Sequence, residues 1–102
     1  MSRQNGKANS INITWRPDLQ VYKVTFEADQ SIFHQVVRAL KSIDFELRSY
    51  NADTRAWYIQ PSQLEKLREI AVRLFENAQL TEGDITTDLH SGRATQQLRL
   101  FD

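Results

Sequence analysis

The fold is decided by residues 29 to 75, which read DQSIFHQVVRALKSIDFELRSYNADTRAWYIQPSQLEKLREIAVRLF. The first third of this stretch places apolar residues three and four positions apart, which is the period of an amphipathic helix. The helix is expected to run to about Ile43, with Asp29 or Ser31 as its N-cap. Next come alternating apolar and polar residues on both sides of Asn51-Ala52-Asp53-Thr54, a sequence typical of a turn. The middle third therefore predicts a hairpin.

A second amphipathic helix is the best-marked element of the chain. Pro61 stops the preceding strand, and Ser62 with Glu65 matches a capping box. Apolar residues then recur at helical spacing as far as Phe75. This pattern predicts a helix that ends near Asn77.

Two more strands are predicted in front of the first helix. Residues 11 to 15 alternate, Arg16-Pro17-Asp18 supplies a turn, and apolar residues return from Val21 to Phe26. We therefore expect an α+β fold of order β-β-α-β-β-α, in which a small antiparallel sheet carries both amphipathic helices on one face in a two-layer arrangement. One buried cluster is expected to contain Val24, Phe26, Phe33, Val37, Leu40, Trp57, Ile59, Leu67, Ile70 and Leu74.

The chain is expected to form one domain between a polar N-terminal arm and a loosely held C-terminal tail. Its 102 residues have room for a single hydrophobic core. Residues 1 to 10 are polar and without periodicity, so they are expected to be a flexible arm. The α+β domain is expected to span residues 11 to 80. Residues 81 to 102 are expected to form a loosely held C-terminal tail, in which residues 85 to 90 are a strand candidate.

Composition narrows the classes of function. The chain has no cysteine, which excludes disulfides and thiolate metal sites and makes a cytoplasmic location the simplest expectation. It has no apolar run of about 18 residues, so no membrane span is expected. Thirteen basic residues balance thirteen acidic ones, which argues against coating nucleic acid by bulk charge.

No arrangement of residues indicates catalysis. His34 and His90 lie far apart in the sequence, and the acidic cluster of Glu82, Asp84 and Asp88 lacks the glycine and ligand pattern of a calcium loop. We therefore expect a protein that is not an enzyme and uses neither cofactor nor metal. The alternative hypothesis of a small hydrolase or metal protein would require a concave cluster of ligand residues, which the sequence does not show.

The central hairpin carries a resemblance to a known family. Tyr50, Thr54, Arg55 and Trp57 stand as in the motif Tyr-Asp-x-x-Thr-Arg-x-Trp, with Asn51 where aspartate is usual. With the strand YKVTFEA and the helix ending ALKSI, this resembles the HARP domain, the DNA-binding accessory module of Swi/Snf-type annealing helicases, over roughly half of the chain. The resemblance implies contact with junction or single-stranded DNA, without ATP hydrolysis because the motor is absent. From the residues alone, Tyr50 and Trp57 are expected to pack under the helices.

Cations on the first helix and the hairpin are candidates for contact with phosphates. His34, Arg38 and Lys41 share one face of the predicted helix, and Arg48 and Arg55 extend the charge onto the hairpin. Arg38, Lys41, Arg48 and Arg55 form the predicted DNA-binding set. The alternative is that these side chains are simply solvated.

The C-terminal residues carry a second resemblance. Gln97-Leu98-Arg99-Leu100-Phe101 resembles the pentapeptide, commonly Gln-Leu-Ser/Asp-Leu-Phe, by which bacterial polymerases and repair factors dock on the DNA polymerase III β sliding clamp. The resemblance implies that Leu100 and Phe101 fill a pocket of the clamp, that Gln97 fixes the register and that Leu98 adds a side contact. Alternatively, the same alternation predicts a last β-strand that packs on the domain.

Taken together, these patterns predict a small adaptor of bacterial DNA replication or repair. It would dock on the sliding clamp through its tail and contact single-stranded or forked DNA through a HARP-like domain. The alternative is a protein–protein interaction module with a structural C-terminal strand and no role with nucleic acid.

Overall fold

The computed structural model describes residues 9 to 96 of the chain. They form one sheet of seven strands and, in addition, two α-helices. The helices are α1 (Gln30–Lys41) and α2 (Leu64–Leu74). The strands are β1 (Ser10–Arg16), β2 (Val21–Glu27), β3 (Arg48–Asn51), β4 (Ala56–Ile59), β5 (Asn77–Glu82), β6 (Ile85–Asp88) and β7 (Arg93–Gln96).

The strands are ordered β3-β4-β2-β1-β5-β6-β7 across the sheet. Every neighbouring pair is antiparallel except β1 and β5, which run parallel. Two parallel strands need a long connection along the chain. In the sequence, α1, the β3–β4 hairpin and α2 all lie between β1 and β5. The sheet is thus a central β1–β2 hairpin, extended by β3 and β4 on one side and by β5 to β7 on the other.

Both helices pack on the same face of the sheet. Alternate strand residues such as Ile13, Val24 and Ile59 are fully buried, and they share one cluster with Leu40 of α1 and Leu67 of α2. Burying such side chains stabilises a fold by about 1.5 to 3 kcal/mol each. The α+β class is confirmed, and the sheet is larger than expected.

The predicted β-β-α-β-β-α order is found from β1 to α2, but three further strands follow it, and α2 ends earlier than expected. Phe75 leaves the helix with extended backbone angles, φ −121° and ψ 141°. Residues 77 to 82 then form β5, which buries Ala78 and Leu80 against the helices. Only two apolar residues mark this strand, so the sequence pattern did not separate it from the end of the helix.

The expectation of a loose tail from residue 81 requires correction as far as residue 96, because β6 and β7 continue the sheet. Gly83, with φ +65°, provides the tight two-residue connection between β5 and β6. The next connection is tied to the domain, since the Leu89 N–H donates to the Ala78 carbonyl at 2.9 Å and His90 Nε2 donates to the Phe75 carbonyl at 2.6 Å. The 85 to 90 strand candidate is confirmed from Ile85 to Asp88.

Helix and strand starts agree with the sequence only in part. The Asp29 carboxylate accepts the Ser31 N–H at 3.1 Å, which confirms the N-cap of α1. The predicted capping box of α2 does not form, because Pro61–Gln63 makes a 3₁₀ turn and α2 begins at Leu64 without a side-chain cap. A second 3₁₀ turn, Phe45–Leu47, replaces the expected start of the β3–β4 hairpin.

Most of the predicted core is buried or packs against the buried cluster. Phe33 is the exception, because 43% of its surface is exposed. On α1 the positions that face the sheet are Val36 and Leu40, which places Phe33 on the flank of the helix. Neither helix in the described part of the chain is long and apolar enough to cross a membrane.

Candidate functional site

A groove lies between α1 and the β3–β4 hairpin, with a volume of about 980 Å³. Three of the four predicted DNA-binding cations, Lys41, Arg48 and Arg55, line it. The fourth, Arg38, is exposed on α1 and is not part of the lining. The remaining lining residues are Asn9, Phe26, Glu27, Ala28, Asp29, Phe33, Val37, Tyr50 and Trp57.

The register of the strands places the hairpin side chains in this groove. Arg48 is paired with Ile59 and Tyr50 with Trp57, so both β3 side chains lie on the face that carries the helices. The opposite wall is α1, on which Phe33, Val37 and Lys41 follow one another at four-residue spacing. One wall is therefore a helix side and the other an edge strand.

Arg48 has a structural role at the end of α1. Its Nε donates to the Ile43 carbonyl at 2.8 Å, and its Nη2 lies 3.4 Å from the Lys41 carbonyl oxygen. The last carbonyls of a helix lack partners within the helix, and a cation there also interacts favourably with the helix dipole. Its guanidinium also lies 5.7 Å from the Phe45 ring centre. Part of the hydrogen-bonding capacity of Arg48 is thus used by the fold.

Arg55 is exposed at the end of the β3–β4 turn. The turn is held by Asn51, whose Oδ1 accepts the N–H groups of Asp53 at 2.8 Å and Thr54 at 3.3 Å. Arg55 itself has φ +55°, in the left-handed region that favours glycine. This conformation costs an L-residue about 1 to 2 kcal/mol.

Aromatic rings form much of the groove. Trp57 is buried in the floor, and the Tyr50 ring packs 5.0 Å from it at an angle of 50°. The expectation that Tyr50 is a core residue is wrong, because half of its surface is exposed. Across the groove, the Phe33 ring lies 5.9 Å from that of Phe26.

Sequence reasoning missed Phe33 and Tyr50 as site residues. The one available signal was that Ile32 and Phe33 are adjacent, so that a single helix stripe cannot bury both equally. For Tyr50 no signal in the sequence shows that β3 would be the edge of the sheet.

The charges in the groove are unevenly distributed. Lys41 and Arg48 lie at the end of α1, whereas Glu27 and Asp29 lie at its beginning. A rise of 1.5 Å per residue separates Asp29 from Lys41 by about 18 Å along the helix axis. Continuing the β2–β4 register brings Arg55 to the acidic end. The groove therefore has a basic end and an end of mixed charge.

Tyr22, whose pKa differs from its ordinary value, lies in the core, away from the groove. Burial, reinforced by the hydrogen bond that its hydroxyl donates to Glu82 Oε2 at 2.8 Å, raises the pKa of Tyr22 to about 12. In residues 9 to 96 no group of three or more histidine, aspartate or glutamate side chains is placed to hold a metal ion.

The predicted clamp contacts Gln97, Leu98, Leu100 and Phe101 lie outside the described residues. Their point of departure is described, since β7 ends at Gln96 on the edge of the sheet opposite to β3. Six strand spacings of about 4.8 Å separate β7 from β3 by about 29 Å across the sheet. The last described residue, Gln96, therefore belongs to a strand on the edge of the sheet away from the groove.

A scan against protein-family models, a search of curated proteins and a search of solved structures found no match to this chain. The HARP and clamp-peptide resemblances therefore rest on the residues quoted for them.

Proposed function

We propose that this protein is a non-enzymatic adaptor of bacterial DNA metabolism that works in the cytoplasm. It contacts single-stranded or forked DNA through the groove and docks on the DNA polymerase III β sliding clamp through its C-terminal peptide. The observation that carries the DNA contact is that Lys41, Arg48 and Arg55 line one groove together with exposed aromatic side chains.

The cations supply the electrostatic part of the proposed DNA contact. Lys41 and Arg55 are exposed, and Arg48 retains N–H groups beyond those that bind the end of α1. Each neutralised phosphate releases counterions, which favours binding at low salt. With so few cations, and with Glu27 and Asp29 in the same groove, the expected DNA affinity is weak.

The C-terminal peptide compensates for weak DNA affinity. A domain tethered to a clamp that already encircles DNA meets that DNA at an effective concentration of about millimolar. Because the peptide follows β7 in the chain and the groove lies beside β3 on the opposite edge of the sheet, docking of the peptide on the clamp would leave the groove accessible to DNA. The zero net charge of the chain is then compatible with a function on DNA.

The DNA contact is tested by measuring the affinity of the full chain for labelled single-stranded and forked oligonucleotides across a range of salt. Replacing Lys41 with glutamine should weaken binding and reduce the slope of log K against log salt by about 0.7 for the lost phosphate contact. The matched control is Lys23→Gln, because Lys23 alternates with the buried Tyr22 and Val24 and so lies on the other face of the sheet. Absence of binding at low salt, or an equal effect of Lys23→Gln, would contradict the proposal.

A protein–protein interaction module is the second candidate function, because the groove is apolar at its centre. Phe26, Val37 and Trp57 offer a surface that suits an apolar side chain of a peptide ligand, and acidic residues lie at one end. In this case DNA would not bind at low salt. A large drop in melting temperature on replacing Leu100 and Phe101 with alanine would also favour it, since the C-terminal residues would then belong to the fold.

A further inference from the structure

Each wall of the groove carries a large aromatic side chain that remains accessible to solvent. Tyr50, on β3, is 50% exposed, and Phe33, on α1, is 43% exposed. Both line the groove together with Lys41 and Arg55. Rings and cations that share a groove are the combination by which proteins hold unpaired nucleic-acid strands.

Both rings are supported from behind by more deeply buried aromatic residues. The Tyr50 ring rests against Trp57 at 5.0 Å, and the Phe33 ring rests against Phe26 at 5.9 Å. Trp57 belongs to the buried cluster, and Phe26 packs against it. Each exposed ring is thus held in place before a ligand arrives, which lowers the entropy lost on binding.

We propose that Tyr50 and Phe33 stack on unpaired bases, so that the groove binds single-stranded DNA in preference to duplex DNA. This inference rests on the proposed function, in which the groove contacts DNA. Stacking on an aromatic side chain is open to every base, so little sequence preference is expected. A forked substrate would be held through its single-stranded arm.

A duplex would lose this contribution. Its bases are stacked on one another, so the rings would find no free base surface and only the cations would contribute. Duplex DNA also carries one negative charge per about 1.7 Å of its axis. Glu27 and Asp29 at the mixed end of the groove would oppose that dense charge.

The test compares three ligands of the full chain at one salt concentration: a labelled thymidine oligonucleotide of about 15 nucleotides, long enough for one binding site, an abasic oligonucleotide of the same length, and a duplex of the same length. Tyr50→Leu and Phe33→Leu should each weaken binding of the thymidine strand about five-fold or more. Neither should change binding of the abasic strand, which offers phosphates without bases. Tyr50→Phe keeps the ring and should bind as the wild type does.

Leucine keeps an apolar contact with the ring behind it, so these variants are expected to fold, and thermal melting checks this. The matched control is Tyr58→Leu, because Tyr58 pairs with Lys23 on the other face of the sheet. It should bind the thymidine strand with wild-type affinity.

Three results would overturn the inference. The first is that the wild type binds the duplex as tightly as the thymidine strand. The second is that Tyr50→Leu and Phe33→Leu weaken binding of the abasic strand as much as binding of the thymidine strand, or change the binding of neither strand, while Lys41→Gln still weakens binding. In these two cases stacking fails and the DNA contact stands. The third is that the wild type binds none of the three ligands, which refutes the proposed DNA contact and stacking together.

Discussion

Replacing Arg55 with glycine should make the domain more stable while weakening its hold on DNA. Arg55 ends the β3–β4 turn with φ +55°, a conformation that costs an L-residue about 1 to 2 kcal/mol and glycine almost nothing. Glycine in turn loses about 0.5 to 1 kcal/mol more backbone entropy on folding. With the middle of each range, the net gain in the free energy of unfolding is about 0.75 kcal/mol, or about 3 to 6 °C in melting temperature.

The same substitution removes one cation from the groove. If Arg55 contacts a phosphate of single-stranded DNA, the slope of log K against log salt should fall by about 0.7. Chemical denaturation measures the gain in stability. Fluorescence anisotropy of a labelled oligonucleotide at several salt concentrations measures the change in the salt slope.

The β1–β2 turn provides a matched control, because Gln20 ends it in the same way, with φ +58°. Gln20→Gly should raise stability as much as Arg55→Gly and leave DNA binding unchanged. The chain already uses glycine at the equivalent place of the β6–β7 turn, where Gly92 has φ +74°. A fall in stability on Arg55→Gly would refute the strain argument, and an unchanged salt slope would refute the phosphate contact.

Two further predictions concern stability. Arg48→Ala should lower the free energy of unfolding by about 1 to 3 kcal/mol in chemical denaturation, because the carbonyls at the end of α1 lose a charged donor; an unchanged value would show that these hydrogen bonds do not hold the helix end. Because the pKa of Tyr22 is raised to about 12 in the folded state from 10 in the unfolded state, its contribution is fully present below about pH 10 and is lost as the pH rises through 12. Tyr22→Phe should therefore show a shallower fall in stability between about pH 10 and 12, and an equally steep fall would contradict this.

The first two-thirds of the fold could be predicted from the sequence because its signals are strong. The β1–β2 alternation, the Asp29 cap and the apolar stripes of the helices each follow from spacing alone. The last third could not be predicted, because β5 buries only Ala78 and Leu80, and no residue of β6 or of 93 to 95 in β7 is buried. These strands are specified by their pairing with β1 and with one another, which a single sequence does not display.

The cations of the candidate site could be predicted from the sequence, whereas the exposure of its aromatic side chains could not. Lys41 and Arg55 were identified as cations on a helix face and a turn, where basic side chains are usually exposed. The exposure of Tyr50 depends on β3 being the edge strand, and that of Phe33 depends on which side of α1 faces the sheet. Both are properties of the assembled sheet, which local spacing does not determine.

Titrating purified β sliding clamp into the full chain tests the adaptor role most directly. Wild-type protein should bind with a dissociation constant of about 1 μM, near 8 kcal/mol, as expected for a short peptide with a few apolar anchors. A chain cut after Gln96, which keeps all of β7, should not bind, and neither should the double variant Leu100→Ala and Phe101→Ala at an unchanged melting temperature. If the wild type does not bind the clamp, or if the cut chain binds equally well, the C-terminal peptide is not a clamp ligand and the assignment to DNA replication or repair is contradicted.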